Sequence, residues 1–501
     1  MTFFNKILSH KYGLLYIALA GGVICTLCHL IFSVDLYRDS ASVYAFMARA
    51  LIRGNYQEAF HESIPHLTVC CSYPFSLLGM PPEKSVSVVS CLFYLATIPY
   101  LFFLLREFVP EKLAGFGTIL FAFAPKVIRF FCTALLDSGK VFFLVAGLYY
   151  GYKLVKNRFD SWRTAAGFGA ALGLLGLVRS EGIGNAVLLG GCVAIYGIVE
   201  MCRSKKSAPL LKLLLSMSIA LILLASRVVL MGVVFGKWIY DKRIADGLGK
   251  LLPFLKIAEE KVETGVVAVK QFDSSWGHLW EQNIRGAYEV YLVFTIIGAI
   301  ILALVIFLRD KERLFPDKKV PEFIRWNNFY WVFILSIICN MLFFKAAGIL
   351  AFRYFLLNIP LLMVCTLIGM YWVWSWLSCF IPLKILILCL VIVLPLQIAN
   401  GLSRCFNKKH RIDHTVGLYL KKHLEPGKAI SIDKAAATWY YSGLERAIRV
   451  ESAVNIADVK DFTYIISPDD YTGIKTLETR TDLQEIKIPV KSNVRVFKKI
   501  K

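Results

Sequence analysis

The chain of 501 residues is 57% hydrophobic and only 18% charged, with a mean hydropathy of +0.60, which is too apolar for a soluble globular protein of ordinary composition. Its 57 Lys and Arg against 35 Asp and Glu leave a net charge of +22. In so apolar a chain that excess belongs to cytoplasmic loops and to contacts with membrane lipids or phosphate groups, and no nucleic-acid partner is expected.

The first apolar run, residues 13 to 34, follows a basic flank with Lys6 and Lys11 and has no small-x-small cleavage site, which predicts an uncleaved first span. Further runs near the length that crosses about 30 Å of hydrocarbon lie at 85 to 105, 113 to 129, 139 to 155, 163 to 178, 183 to 201, 209 to 235, 288 to 308, 328 to 344, 355 to 376 and 383 to 400. The reading is a polytopic α-helical membrane domain over residues 1–400 with about eleven helices, within a range of nine to thirteen. The loops KLVKNRFDSWR, CRSKKSAPLLK and RDKERLFPDKKVPEFIR fall on one side if the helices alternate, and the N-terminus joins them in the cytoplasm. Residues 35–84, residues 236–287 and the tail then face outward. The tail, 401–501, alternates strand-like AISID, RAIRV, TYIIS, LQEIKIP and VRVFKK with the helical HRIDHTVGLYLKKHL, and reads as a small α/β domain.

Directly after the first span the sequence VDLYRDSASVYAFMARALIRGNY places Asp35, Arg38 and Asp39 before an apolar stripe of Tyr44, Met47, Ala48 and Leu51, with Arg49 and Arg53 off the stripe and Gly54 as the stop. A basic amphipathic helix of this kind lies in the headgroup plane with its apolar side down. Asp39 caps this helix on the plain reading. Three cations face outward at helix starts or turns: Lys140 beside Asp137, Arg179 beside Glu181, and Arg353 followed by Tyr354; Arg129 lies a little before Asp137. Positive charge there opposes both the helix dipole and the positive-inside bias, so either an anion such as a lipid phosphate is held nearby, or each cation snorkels or pairs with a carboxylate. Arg227 lies inside an apolar run and faces the interior or a cavity, with no assigned role.

His61, Glu62 and His66 form the only metal alternative in the outer loop, a weak one because the histidine spacing does not make a one-face pair; no cofactor is otherwise assigned, and a divalent metal stays open. His29 reads as a packing residue, Asp469 and Asp470 as a turn, and the cysteines as small hydrophobes of the spans.

Together, RDSASVYAFMARALIRGNY, IPHLTVCCSYPFSLLGMPPEKSVSVVSCLF, LLDSGKVFFLVAGLYYGYKL, LLGLVRSEG and FRYFLLNIPLL resemble, in that order, segments of the GT-C superfamily of membrane glycosyltransferases, especially bacterial relatives of the protein O-mannosyltransferases and aminoarabinose transferases, family 39-like enzymes. The tail, with KAISIDKAAATWYYSG and YIISPDDY, is similar to the small outer domain of some bacterial members. The resemblance implies a GT-C fold in a bacterial inner membrane with the tail periplasmic or extracellular. It also implies inverting transfer of a sugar from a polyprenyl-phosphate donor to a hydroxyl of a glycan, lipid or protein acceptor. Asp39 would be the general base, Asp137 the second acid, and Lys140, Arg179, Arg353 and Arg129 the phosphate ligands. Arg38, Tyr44, Glu181, His61, His66 and Tyr354 would be acceptor or loop residues. The first loop has Asp-Ser where mannosyltransferase relatives often have Asp-Glu, so the donor sugar does not carry over. A lipid-linked sugar flippase with a cationic cavity is the competing class, and an assembly protein whose outer domain binds partners is a third.

Overall fold

The computed structural model describes residues 10, 12–33, 40–62, 64–240, 292–307, 329–346, 356–380, 399–400, 403, 411–432, 435–450, 462–469, 477–488 and 494–500. Helix α1, Gly13–Phe32, is apolar around most of its surface, as a lipid-facing span must be. Its last carbonyls, which no residue of the helix can satisfy, are met by Lys84, whose Nζ donates to Leu30 O at 2.8 Å and Ser33 O at 2.7 Å.

The segment that follows holds a π-helical turn, Ser40–Tyr44, then α2, Ala45–Ile52, α3, Tyr56–Ala59, and α4, Leu67–Leu77. Gly54 ends α2 with a positive φ of 73°, a conformation open to glycine without penalty. In the expected stripe Tyr44, Met47 and Ala48 are buried and Leu51 is half-buried. They pack on α4, on the next span and on a helix of the tail. Protein rather than headgroups therefore covers the apolar face of α2, which corrects the expected membrane-surface placement.

The membrane domain continues with α5, Pro82–Leu105, α6, Glu111–Ala122, α7, Pro125–Phe131, α8, Asp137–Lys156, α9, Trp162–Val178, α10, Glu181–Ser204, and α11, Ala208–Phe235. After them come α12, Leu292–Phe307, α13, Tyr330–Ala346, and α14, Ile359–Phe380. Each expected span up to 355–376 thus meets a helix, while most of 383–400 and of 236–287 lies outside the described residues. Five described helices are individually long and apolar enough to cross a membrane, and α6 with α7 form a sixth that bends by 58°. The bend replaces the straight span expected over 113–129. Pro125 removes an amide and pushes Ala124 out of the helical region, to φ −63°, ψ 120°.

Direction follows from two contacts: Ser90, early in α5, donates its hydroxyl to Leu135 O just before α8 at 2.7 Å, and Glu107, just past the end of α5, pairs with Lys153 at 2.8 Å and Lys156 at 2.5 Å in the last turn of α8. The two helices therefore run parallel, and α9 returns between their far end and the start of α8. The tightest crossing joins α12 to α14, where a Cβ on Gly369 would stand 1.9 Å from Phe294 O.

The tail contains α15, Arg411–His423, β1, Lys428–Ile432, α16, Ala436–Ser442, and the strands β2, Glu445–Val450, β3, Tyr464–Pro468, β4, Leu483–Ile486, and β5, Val494–Lys499. All five strand-like runs of the sequence are strands. They form one sheet of order β2-β1-β3-β5-β4, with β1 parallel to β2 and β3 and β5 antiparallel to β3 and β4. One face is closed by Ile430, Ile432, Ile465, Leu483 and Phe497. The other, with Ala429, Tyr464, Ile466 and Val496, packs under α15 and α16 into an apolar core continuous with that of the membrane domain.

Candidate active site

Two turns of chain from different hairpins bring four charged side chains together at the end of the bundle that meets the tail. Asp137 opens α8, where the electropositive helix end favours a carboxylate, and its position is fixed by the Ser90 bond to Leu135. Lys140 follows one turn later. Arg179 closes α9 in extended conformation, φ −153°, ψ 145°, and Glu181 opens α10 two residues on. That reversal is so tight that a Cβ on Gly182 would lie 2.2 Å from Leu175 O, so glycine is required next to Glu181.

Arg179 is shared between both acids: Nη1 donates to Asp137 Oδ1 at 3.1 Å and Nε to Glu181 Oε1 at 2.6 Å. Lys140 Nζ reaches the same Glu181 oxygen at 3.3 Å. All four residues are buried, and the formal charges, two positive and two negative, cancel. Charges this far from water persist only when paired and hydrogen-bonded. Asp137 Oδ2 has no hydrogen-bond partner among the described residues, which leaves a carboxylate oxygen able to accept a hydrogen bond from a ligand hydroxyl.

A string of amides carries the polar network across the bundle. Asn185 Nδ2 donates to Asn340 Oδ1 at 2.6 Å, and Asn340 Nδ2 to Asn358 Oδ1 at 2.8 Å. Asn358 precedes α14 and follows the segment that holds Arg353 and Tyr354, both outside the described residues, as are Arg38 and Asp39. The asparagines were not singled out in the sequence, although polar residues inside apolar runs are a signal for function.

Arg129 is half-buried in the last turn of α7, 5.7 Å from the Phe130 ring centroid. A cation at that helix end is favoured by the dipole, so the expected conflict with the dipole does not apply to it. Tyr44 is buried at the end of the π-helical turn. Arg227 takes the role the sequence left open. Buried in α11, it gathers the loop before α4: Nη2 donates to His61 O and Glu62 O at 3.2 Å each, Nη1 to Ile64 O at 3.2 Å, and Nε to Tyr240 O at 2.6 Å. His66 Nδ1 lies 3.4 Å from the same guanidinium, and Glu62 pairs with Lys237 at 2.7 Å. His61, Glu62 and His66 therefore serve loop structure and do not converge; no cluster of three His, Cys, Asp or Glu suited to a metal occurs among the described residues.

No protein-family model matches this sequence, and no curated protein does. Solved structures do. ArnT from Cupriavidus metallidurans bound to undecaprenyl phosphate superposes with a TM-score of 0.54 at 12% identity over 97% of this chain and 98% of that one. The apo state of the same protein gives 0.55 at 13% identity over 98% of each. The Archaeoglobus fulgidus oligosaccharyltransferase in complex with zinc and sulfate gives 0.50 at 11% identity, covering 91% of this chain and 68% of that one. The chain thus shares the fold of these proteins over nearly its whole length, and its long apolar helices make it a multi-pass membrane protein.

Proposed function

We propose that this protein is an inverting glycosyltransferase that moves a sugar from a polyprenyl-phosphate donor to an acceptor hydroxyl at the outer face of a bacterial inner membrane. The observation that carries the reading is the buried quartet of Asp137, Lys140, Arg179 and Glu181 at the tail-facing end of a GT-C bundle. Support for the donor class comes from the likeness in fold to a protein solved with undecaprenyl phosphate. Support for the orientation comes from Lys153, Lys156 and Arg203 in the last turns of α8 and α10 and from Lys205 and Lys206 just past α10, which lie at the opposite end of the helices and would face the cytoplasm.

The leaving group of such a donor is a phosphate, so protonating it matters less than stabilising its charge. A neutral quartet offers no surplus cation; the excess positive charge for the phosphate comes from Arg353 and Arg129, while Lys140 and Arg179 hold the acids neutralised beside it. Asp39 removes the proton of the acceptor hydroxyl as it attacks the anomeric carbon from the face opposite the phosphate, a single displacement that inverts the centre. Asp137, through Oδ2, orients the acceptor. The acceptor is a glycan, a lipid or a protein.

The test uses purified protein in liposomes with polyprenyl-phosphate sugars and a panel of acceptors. Asp39→Asn is expected to abolish transfer while fold and donor binding survive; wild-type turnover in that variant removes Asp39 as the base. Donor crossing the bilayer with no new glycosidic bond assigns the protein to the flippase class instead.

A further inference from the structure

The end of the bundle away from the quartet gathers cations that meet no acid. The turns between α8 and α9 and between α10 and α11, residues 157–163 and 200–212, hold six cations against two acids, Asp160 and Glu200. Three contacts fix the two turns side by side. Lys212, buried near the start of α11, donates from Nζ to Asp160 O at 2.7 Å and lies 5.4 Å from the Trp162 ring centroid. Phe159 is buried against α10, where a Cβ on Gly197 would stand 3.1 Å from its ring. Ser216 donates to Ala165 O at 2.8 Å, which locks α11 onto α9.

The other five cations, Arg158, Arg163, Arg203, Lys205 and Lys206, are exposed, and none pairs with a carboxylate among the described residues. Lys153 and Lys156, at the same end, differ in that both pair with Glu107. The backbone is also special here. Arg158, Phe159 and Lys205, with φ of 48°, 60° and 54°, are the only non-glycine residues in left-handed conformation among the described residues. Such strain persists where the surroundings over-determine it, as buried Phe159 and the Lys212 bond do. Trp162 is 52% exposed, and Leu210, Leu211 and Leu214, which flank Lys212 on α11, are exposed as well. Of the five long apolar spans, α11 is the one least covered by protein.

We propose that this corner binds an anionic phospholipid, its phosphate held by Arg158, Arg163, Lys205 and Lys206 and an acyl chain laid along α11. Unpaired cations at the rim, an amphipathic ring at the boundary and a bare apolar helix beyond them match phosphate, interface and acyl chain in turn. A soluble anion would engage the cations and leave the apolar face idle; a neutral lipid would do the reverse. Each cation near the anionic headgroup is worth about fivefold in affinity, an attraction that salt screens. The site lies at the opposite end from the quartet, so it stands whether or not the protein transfers a sugar.

The experiment titrates full-length, delipidated protein in detergent with phosphatidylglycerol, with phosphatidylcholine of the same acyl chains, and with inorganic phosphate. Bound lipid is read by native mass spectrometry and stability by thermal unfolding. Wild type should retain phosphatidylglycerol and unfold later with it, at concentrations where phosphatidylcholine and phosphate do neither. Lys205→Gln/Lys206→Gln should weaken phosphatidylglycerol binding about 25-fold, whereas Lys153→Gln/Lys156→Gln, an equal loss of charge at the same end, should leave it near the wild-type value. Arg158→Gly separates charge from folding, because glycine accepts a φ of 48° freely. Its unfolding midpoint without lipid should not fall, while phosphatidylglycerol affinity drops about fivefold. Equal losses in the two lysine pairs, equal binding of phosphatidylcholine, or the same stabilisation by phosphate alone overturns the lipid site.

Discussion

Arg179 illustrates how a buried charge can be indispensable without adding net stability. Its guanidinium bonds to both Asp137 and Glu181, so Arg179→Ala strands Asp137 and leaves Glu181 with Lys140 alone, and breaking a buried pair in this way costs about 3–5 kcal/mol. Lys140→Ala leaves Glu181 with Arg179 and should destabilise less; the ordering is read from thermal unfolding in detergent. The same lysine change turns the quartet net negative and should weaken binding of a polyprenyl-phosphate donor about tenfold, which is about 1.4 kcal/mol. Unchanged affinity would place the donor phosphate elsewhere. His66 gives a pH signature. Burial, and then the Arg227 guanidinium, hold its imidazole down to about 4 from an ordinary 6.5. Because the folded value is the lower one, the unfolded chain takes up the proton first. The stability His66 contributes is whole above about 6.5 and is lost as pH falls through about 4. His66→Asn should flatten the dependence of the unfolding midpoint between pH 7 and 5.

Among the helices, what could be read ahead and what could not divide along physical lines. Long apolar runs and alternating strands announce themselves because periodicity and length are local properties. The run 113–129 misled because hydropathy does not register what Pro125 does to the backbone of Ala124, and the result is a 58° bend. The stripe of α2 was right as a stripe, but its covering was not legible: a period of 3.6 residues tells that one face is buried, never against what. The close passage of α12 and α14 was also silent, since Gly298 and Gly369 stand in runs that read only as apolar. Each would put a Cβ within 2 Å of a backbone oxygen of the other helix, Cys365 O and Phe294 O. Gly369→Ala must therefore separate the pair, and overpacking of this kind costs about 1–3 kcal/mol. A thermal midpoint equal to wild type would show that the helices can part freely.

Across the molecule, the charges of the quartet were legible one by one, Lys140 as a cation in the first turn of a helix and Arg179 with Glu181 as charges in a turn between apolar runs. Their mutual neutralisation needed α8, α9 and α10 to be folded, because Asp137 and Glu181 are far apart in sequence and meet only through Arg179. The bond from Asn185 to Asn340 and the tie from Tyr440 to Glu83 join residues 155 and 357 positions apart, for which one sequence offers no pattern. The continuous apolar core between the helical bundle and the tail has the same origin.

The most direct test follows a sugar of known anomeric configuration from a polyprenyl-phosphate donor into product, with the reconstituted wild-type protein and nuclear magnetic resonance of the new linkage. The expected result is a glycoside of opposite configuration, formed only with wild-type protein and absent with Asp39→Asn. A product of retained configuration, or donor that crosses the bilayer with its phosphate bond intact, would refute single displacement at the outer face.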